Sequence, residues 1–379
     1  MSAPGRVELH FGGDTAAAEN HHNLSAVRVE GDVLWLAGDE TATLERLVLD
    51  DPHAPTRGDD QRTYRLADLV DLPGPPDEEA DLEGIARSGD WLWTIGSHSL
   101  ARRRIKARHS EAKARKRLAK VRRDPNRFVI ARLAVQADAE GRPEPVRTAD
   151  DGRCSAIVAA PATETLADLL ADDEHLAPFL AIPSKDNGLD VEGLAVLGDS
   201  LLVGLRGPVL RGWAVVLELR PVDDGPGRLA LGAFPDGSRY RKHLLDLDGL
   251  GVRDLCPHGD DLLVLTGPTM ALSGPVRVYR WHGAAGTDTD RVVRGDELTR
   301  ELELLHGDGV DHAEGIALLD ADADGPAEAD RRLLVVYDSP APARLPTDST
   351  VVADTLPLVP LVARNGSAVA QRVTPDSGP

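Results

Sequence analysis

Five times along the chain a short apolar run reaches a tight turn and is answered by a second apolar run. Three copies open with a Glu-Gly pair: DLEGIARSGDWLWTIG from Asp81, DVEGLAVLGDSLLVGL from Asp190, and HAEGIALLDADADG from His312. NLSAVRVEGDVLWLAG from Asn23 and GVRDLCPHGDDLLVLTG from Gly251 keep the frame without that pair. In four of the five copies the Gly of Gly-Asp lies six positions after the Glu position, held by Ser25, Glu83, Glu192 and Arg253. Glycine supplies the positive φ that a tight hairpin turn needs, so each copy predicts a β-hairpin. A recurring phrase predicts stacked units that cannot bury their apolar faces alone.

The Glu positions fall at 25, 83, 192, 253 and 314, so most copies are about 60 residues apart and one interval is longer. Third strands are expected at ERLVLDD from Glu45, RFVIARLAV from Arg127, WAVVLELR from Trp213 and VRVYRW from Val276. Fourth strands are expected at YRLADLVDL from Tyr64 and HLLDLDG from His243. Four antiparallel strands per unit predict an all-β fold, a β-propeller of five blades with six as the alternative. RVELHFGG from Arg6 would complete the last blade and remove its free edge. The long interval predicts a helical insertion in the second blade: a basic helix over 101–123, stopped by Asp124 and Pro125. An acidic helix is expected over 163–177, with a capping box from Thr165 and Asp168. A single domain is expected over 1–362, followed by a disordered tail at 363–379.

Charge sharpens this picture. The 379 residues carry a formal charge of −20, which argues against nucleic acid and anionic membrane as partners. Residues 102–123 hold 12 Lys or Arg against one acid, Glu111, leaving 31 basic and 62 acidic residues elsewhere. No N-terminal signal peptide is expected, nor any run near the roughly 20 apolar residues of a membrane span. The only cysteines, Cys154 and Cys256, form no CxxC pair, which suits a reduced cytoplasmic setting. The sequence holds no GxSxG elbow, P-loop, HExxH or dinucleotide fingerprint, and no organic cofactor is indicated.

In a propeller the first strands line a channel, and their N-terminal ends open on one face with the loops between second and third strands. That mouth would gather Asp81, Glu83, Asp190, Glu192, Arg253, His312 and Glu314 with Asp39, Glu40, His98, Arg206, Arg211, Thr266 and Asp338. Converging carboxylates repel unless a cation, a proton or an Arg lies between them. The expected metal set is therefore Asp81, Glu83, Glu192 and Glu314, holding Ca²⁺ or Mg²⁺ through oxygen. Arg253 has a second reading, as a structural counter-ion. Lys185, Asp190, Arg206, Arg211, Arg253 and Asp338 would bind a small anionic ligand. Glu83, Glu192, Glu314 and His312 are the candidate acid–base groups of a metal-dependent phosphoester or lactone hydrolase. Asp320, Asp322, Asp324 and Gly325 match the first half of a calcium loop, though Arg331 stands where its last ligand is expected. The rival expectation is a non-enzymatic scaffold that uses the charged insertion to dock an acidic protein partner.

DLEGIA at Asp81, the run IPSKDNGLDVEGLAVLGDSLLVGLRGPVLRGWAVVLEL from Ile182, and HAEGIAL at His312 together resemble an uncharacterised bacterial family, domain of unknown function 3616. That resemblance spans roughly residues 20 to 345 and implies no activity. A more distant likeness is to esterase-like phytase and gluconolactonase-type propellers, and it implies a channel-side Glu, a metal ligand in the gluconolactonase type. Glu83, Glu192 and Glu314 fit that short phrase.

Overall fold

The computed structural model describes residues 5–103, 105–158, 164–270, 272–286, 288–306, 310–319 and 331–358. The chain begins with β1 (Gly5–His10), a short helix α1 (Gly13–Ala17), and the first hairpin β2 (Leu24–Glu30) and β3 (Val33–Gly38). β4 (Thr43–Leu49), β5 (Arg57–Arg65) and α2 (Leu66–Leu69) follow. The second hairpin is β6 (Leu82–Ser88) and β7 (Trp91–Gly96). An arm of β8 (Ala101–Arg102), α3 (Glu111–Ala119) and β9 (Val121–Arg122) then precedes β10 (Ile130–Ala137), β11 (Pro143–Val146), β12 (Ala156–Val158) and α4 (Leu166–Leu169). The third hairpin is β13 (Asp190–Leu197) and β14 (Ser200–Leu210), continued by β15 (Trp213–Asp223), β16 (Leu229–Gly232) and β17 (Arg241–Asp246). The fourth is β18 (Gly251–His258) and β19 (Asp261–Gly267), with β20 (Val276–Trp281), β21 (Arg291–Val293) and β22 (Leu298–Leu304) after it. β23 (His312–Leu319) and β24 (Arg332–Asp338) form the fifth hairpin, and β25 (Thr350–Pro357) ends the described chain.

This topology corrects the expected propeller. One eight-stranded sheet, ordered β2-β3-β4-β5-β1-β25-β24-β23, contains both the first and the fifth hairpins. Its end strands β2 and β23 pack on each other, and Asn23 bridges Asp338, so the sheet nearly closes on itself. The remaining sheets have five, six, four and two strands, with branches where β12 joins β10 and β16 joins β15. Parallel pairings of β1 with β5 and β17 with β21 further break any common pattern. Neither five nor six equivalent four-stranded blades describe these sheets, and the chain is not a repeat protein in that sense. The physical reason lies in the reach of the phrase: it encodes a hairpin, and what pairs beyond the hairpin differs each time.

What the phrase does encode is a β-bulge. In every hairpin the register of the first strand slips at the Glu position: Ser25, Glu83, Glu192, Arg253 and Glu314 each fall at a shift. A bulge takes one residue out of the ladder and re-aims its side chain. The glycine that follows Glu is a packing requirement. A Cβ on Gly84 would sit 2.7 Å from the Leu194 Cβ, and one on Gly193 would sit 2.8 Å from the Asp254 Cα. The first strands thus approach closely around a ring, β2 against β6, β6 against β13, β13 against β18, β18 against β23, and β23 against β2. Apolar layers fill the wedges between them, such as Trp35 and Leu44 with Ile85 and Leu133, or Leu263 and Val278 with Ile316 and Val335. Burying each such side chain contributes roughly 1.5–3 kcal/mol.

One charged residue crosses this ring. Arg28 on β2 is 6% exposed and donates to the carbonyls of Val27 at 2.8 Å, Ile316 at 2.7 Å and Leu194 at 2.9 Å, and to that of Leu255. It also pairs with Asp254 at 3.2 Å, whose carboxylate accepts the amides of Leu255 at 2.7 Å and Ile316 at 2.9 Å. Four of the five hairpins are tied together by this pair.

Both expected helices are shorter than predicted. Among the described residues of 101–123 only Glu111–Ala119 is helical, capped by Ser110, because its thin apolar stripe packs on nothing. Within the described part of 163–177 only Leu166–Leu169 is α-helical, entered through the expected capping box of Thr165 and Asp168. The strand expected from Tyr64 breaks into β5 and α2 at Leu66. The calcium-loop match at 320–325 and the tail at 363–379 lie outside the described residues. Among the described residues no helix is long and apolar enough to cross a membrane.

The Arg28 pair carries a direct test. Arg28→Met should leave Asp254 buried without its partner and cost about 3–5 kcal/mol in chemical denaturation. Adding Asp254→Asn to that variant should restore a substantial part of the loss, whereas additive losses would show that the two residues act independently.

Candidate functional site

The five bulges bring Ser25, Glu83, Glu192, Arg253 and Glu314 to one end of the ring. All five are at least nine-tenths buried. Asp81 lies just before β6, and Asp190 and His312 open β13 and β23; the two acids are buried and His312 is half-buried. The ends of the second strands add Asp39, Arg206 and Asp338. Backbone strain concentrates here, with positive φ at Asp81 (52°), His98 (50°), Asp311 (55°) and Ser339 (51°).

Most of these charges are matched. Arg206 reaches Glu192 at 2.7 Å and Asp190 at 3.7 Å, and donates to the Thr269 carbonyl at 2.9 Å. Arg253 pairs with Glu192 at 3.1 Å and with Glu314, and donates to the Pro268 carbonyl at 3.1 Å. Arg127 pairs with Asp81 at 2.7 Å and with Glu79. Asp338 accepts from the Ser339 hydroxyl at 3.2 Å. Lys185, exposed on the 3₁₀ turn Ser184–Asp186, extends its field over Asp81, Asp190, Glu192 and Asp338.

Two carboxyls are left out. Among the described residues neither a hydrogen-bond donor nor a cation reaches Glu83, and burial pushes its pKa far above the ordinary carboxylate range, helped by Asp81, Glu192, Asp39 and Glu314. Asp39 is raised to about 8 by burial and then by Asp338, Asp81 and Glu314, and its Oδ1 is buried without a partner. Asp190 rises to about 7 through burial and Glu192, against the pull of Arg206. Burial raises Glu314 too, against Arg253. Glu192 goes the other way: burial would raise it, but Arg206 and Arg253 together hold it below its usual value. Burial lowers His312, which favours the neutral imidazole.

The expected metal centre is not built here. Among the described residues no group of three or more His, Cys, Asp or Glu is placed to hold a metal ion, so Asp81, Glu83, Glu192 and Glu314 do not form the Ca²⁺ or Mg²⁺ set. Arg253 stands between Glu192 and Glu314, where a cation was expected, so the counter-ion reading of that residue is the one the geometry carries. The anion site fails for the same reason: Arg206 and Arg253 are already engaged by carboxylates. Arg211 is exposed at the tip of the β14–β15 turn, away from these pairs. The metal-dependent phosphoester or lactone hydrolase at a propeller mouth is thereby withdrawn, and the propeller scaffold loses the architecture it was built on. Sequence reading missed Arg28 and Arg127; a lone Arg on the inward face of an otherwise apolar strand, as in LSAVRVE, was the available signal. Asp39 stood in the polar rim with nothing to mark it out.

Fold and site together define an all-β protein whose five hairpins surround a buried mouth with more acids than bases. The chain belongs to the family described as Protein of unknown function (DUF3616), whose model matches residues 23–354. No curated protein matches it. Among solved structures, glutaminyl cyclase of Myxococcus xanthus is similar at 10% identity and a TM-score of 0.39, over 94% of this chain and 99% of that one. A putative oxidoreductase (glucose dehydrogenase) of Thermus thermophilus gives 14% and 0.37, over 93% and 100%. The tail fiber of Staphylococcus aureus phage P68 gives 9% and 0.34, over 95% of this chain and 53% of that one. At such scores these likenesses carry no argument.

A raised carboxyl pKa is a statement about stability. Asp39 and Asp190 bind their protons more tightly folded than unfolded, so their contribution is complete below about pH 4 and is lost as pH rises through 7 and 8. Asp138 and Asp173, both held near 2, contribute in the opposite sense but only lose that contribution in strong acid. The melting temperature should therefore fall between pH 5 and pH 9, and Asp39→Asn should flatten that fall. An unchanged slope in Asp39→Asn would show that Asp39 does not hold its proton in the folded protein.

Proposed function

We propose that the mouth binds a small organic cation, an ammonium or a guanidinium, between Glu83 and Asp39. The observation that carries this reading is Glu83: Asp81, Asp190, Glu192 and Glu314, the other buried carboxyls at the starts of these strands, each have an Arg partner, and among the described residues Glu83 has none. A buried carboxyl without a partner must either keep its proton or meet a positive charge. An N–H donor needs only two or three acceptors in a loose arrangement, unlike the fuller oxygen shell of Ca²⁺ or Mg²⁺. The same surplus of negative charge rejects anions. Lys185, exposed at the rim, would swing aside or keep the empty mouth neutral. We place the protein in the cytoplasm, a reading supported by the free thiols of Cys154 and Cys256.

Titration calorimetry with agmatine, against propionate as the anionic control, tests the reading at pH 8.5. Agmatine should bind, propionate should not, and Glu83→Gln should weaken agmatine at least tenfold. Affinity should also rise from pH 6.5 to 8.5, because Asp39 must lose its proton for the cation to gain a second carboxylate. Equal agmatine binding by wild type and Glu83→Gln would contradict the proposal.

A further inference from the structure

The arm between β7 and β10 buries little against its own chain. Helix α3 has no buried residue, and a two-residue ladder, Ala101 with Arg122 and Arg102 with Val121, closes its base. Arg102 is pinned to Asp186 at 2.8 Å, while the side chains of Arg103, Lys106, Lys113, Arg115 and Lys116 form no ion pair with the body among the described residues. Three of the large exposed apolar side chains, Ile105, Leu118 and Val121, lie on this arm.

Its position matters as much as its charge. The arm leaves β7 through residues 97–100, where the Ser97 amide donates to the Asp81 carbonyl and the Leu100 carbonyl accepts from Ser184. It therefore rises from the rim of the acid-rich mouth, on the same face. Within one chain it leaves Glu83 and Asp39 unpartnered. Two copies related by a two-fold axis across that face would each present an arm to the other's mouth, a self-complementary contact.

We propose that two copies of this chain dock mouth to mouth, the basic arm of each supplying Lys or Arg side chains to the other's Glu83 and Asp39. Charge complementarity selects this occupant: 12 basic residues and one acid in 102–123 face a body with 62 acids and 31 bases. The proposal rests on the cation reading of the mouth and gives that cation a source. Exposed Ile105, Leu118 and Val121 would supply the apolar part of the contact.

Sedimentation velocity of the full chain at pH 8.5 tests it. Wild type should dimerise in 50 mM NaCl and dissociate in 500 mM NaCl. The K113E/K116E variant, changed only at exposed positions, should stay monomeric and bind agmatine at least as tightly as wild type, because no arm competes for its mouth. Saturating agmatine should dissociate the wild-type dimer by competing for the same carboxyls. Agmatine binding with a wild type that is monomeric in 50 mM NaCl would overturn the docking and leave the cation site standing. A dimer that survives both K113E/K116E and agmatine would also overturn it. Loss of agmatine binding itself would overturn both.

Discussion

The ring depends on Arg28 and its buried partner Asp254. Five hairpins packed side by side leave an axis where backbone carbonyls face inward with no strand to receive them. Arg28 answers carbonyls on β2, β13, β18 and β23 at once, and Asp254 answers amides on β18 and β23. An aliphatic side chain there would leave buried carbonyls unsatisfied, at a cost of about 1–3 kcal/mol each. The pair is electrostatically uneven even so: burial raises Asp254 to about 6 despite the guanidinium beside it. Specification of a single ring geometry is what this arrangement gains, because no other register brings all these groups within reach of one arginine.

At the other end of the same strands the balance is deliberately incomplete. Arg127, Arg206 and Arg253 neutralise Asp81, Glu192 and Glu314 well enough to let five bulges crowd together. Glu83 and Asp39 remain, and a fold selected for stability alone would have replaced them with neutral residues. Sites that violate the usual rules of burial at a cost to stability are where function concentrates. Guanidinium groups occupy the positions between Glu192 and Glu314 where a metal ion was expected.

The hairpins were legible in the sequence, and so was the frame that gives Ser25, Glu83, Glu192, Arg253 and Glu314 equivalent positions in them. The six-residue spacing from the Glu position to the turn glycine sets the strand register, and register sets which face each side chain takes. What lay beyond the hairpin was not legible. The parallel pairing of β1 with β5, and the joining of first and fifth hairpins into one sheet, depend on contacts distant in sequence that no local phrase records. The same limit explains the metal set. Glu192 and Glu314 read as ligands because their counter-ion, Arg253, looked like a worn copy of the same phrase, whereas it is the residue that makes the other two tolerable. The basic arm was recognised from charge, but its helix shrank because nothing in the body receives Ile105 or Leu118.

The most direct test of the account counts protons. Agmatine binding measured by calorimetry at pH 7.5, in buffers of differing ionisation enthalpy, gives the number of protons released when the cation enters the mouth. If Glu83 and Asp39 are buried acids waiting for a positive charge, the K113E/K116E protein, whose mouth no arm fills, should release about one to two protons per agmatine, and adding Asp39→Asn should lower that number. Binding without proton release would mean that these carboxyls are already ionised and compensated, and would contradict the central claim.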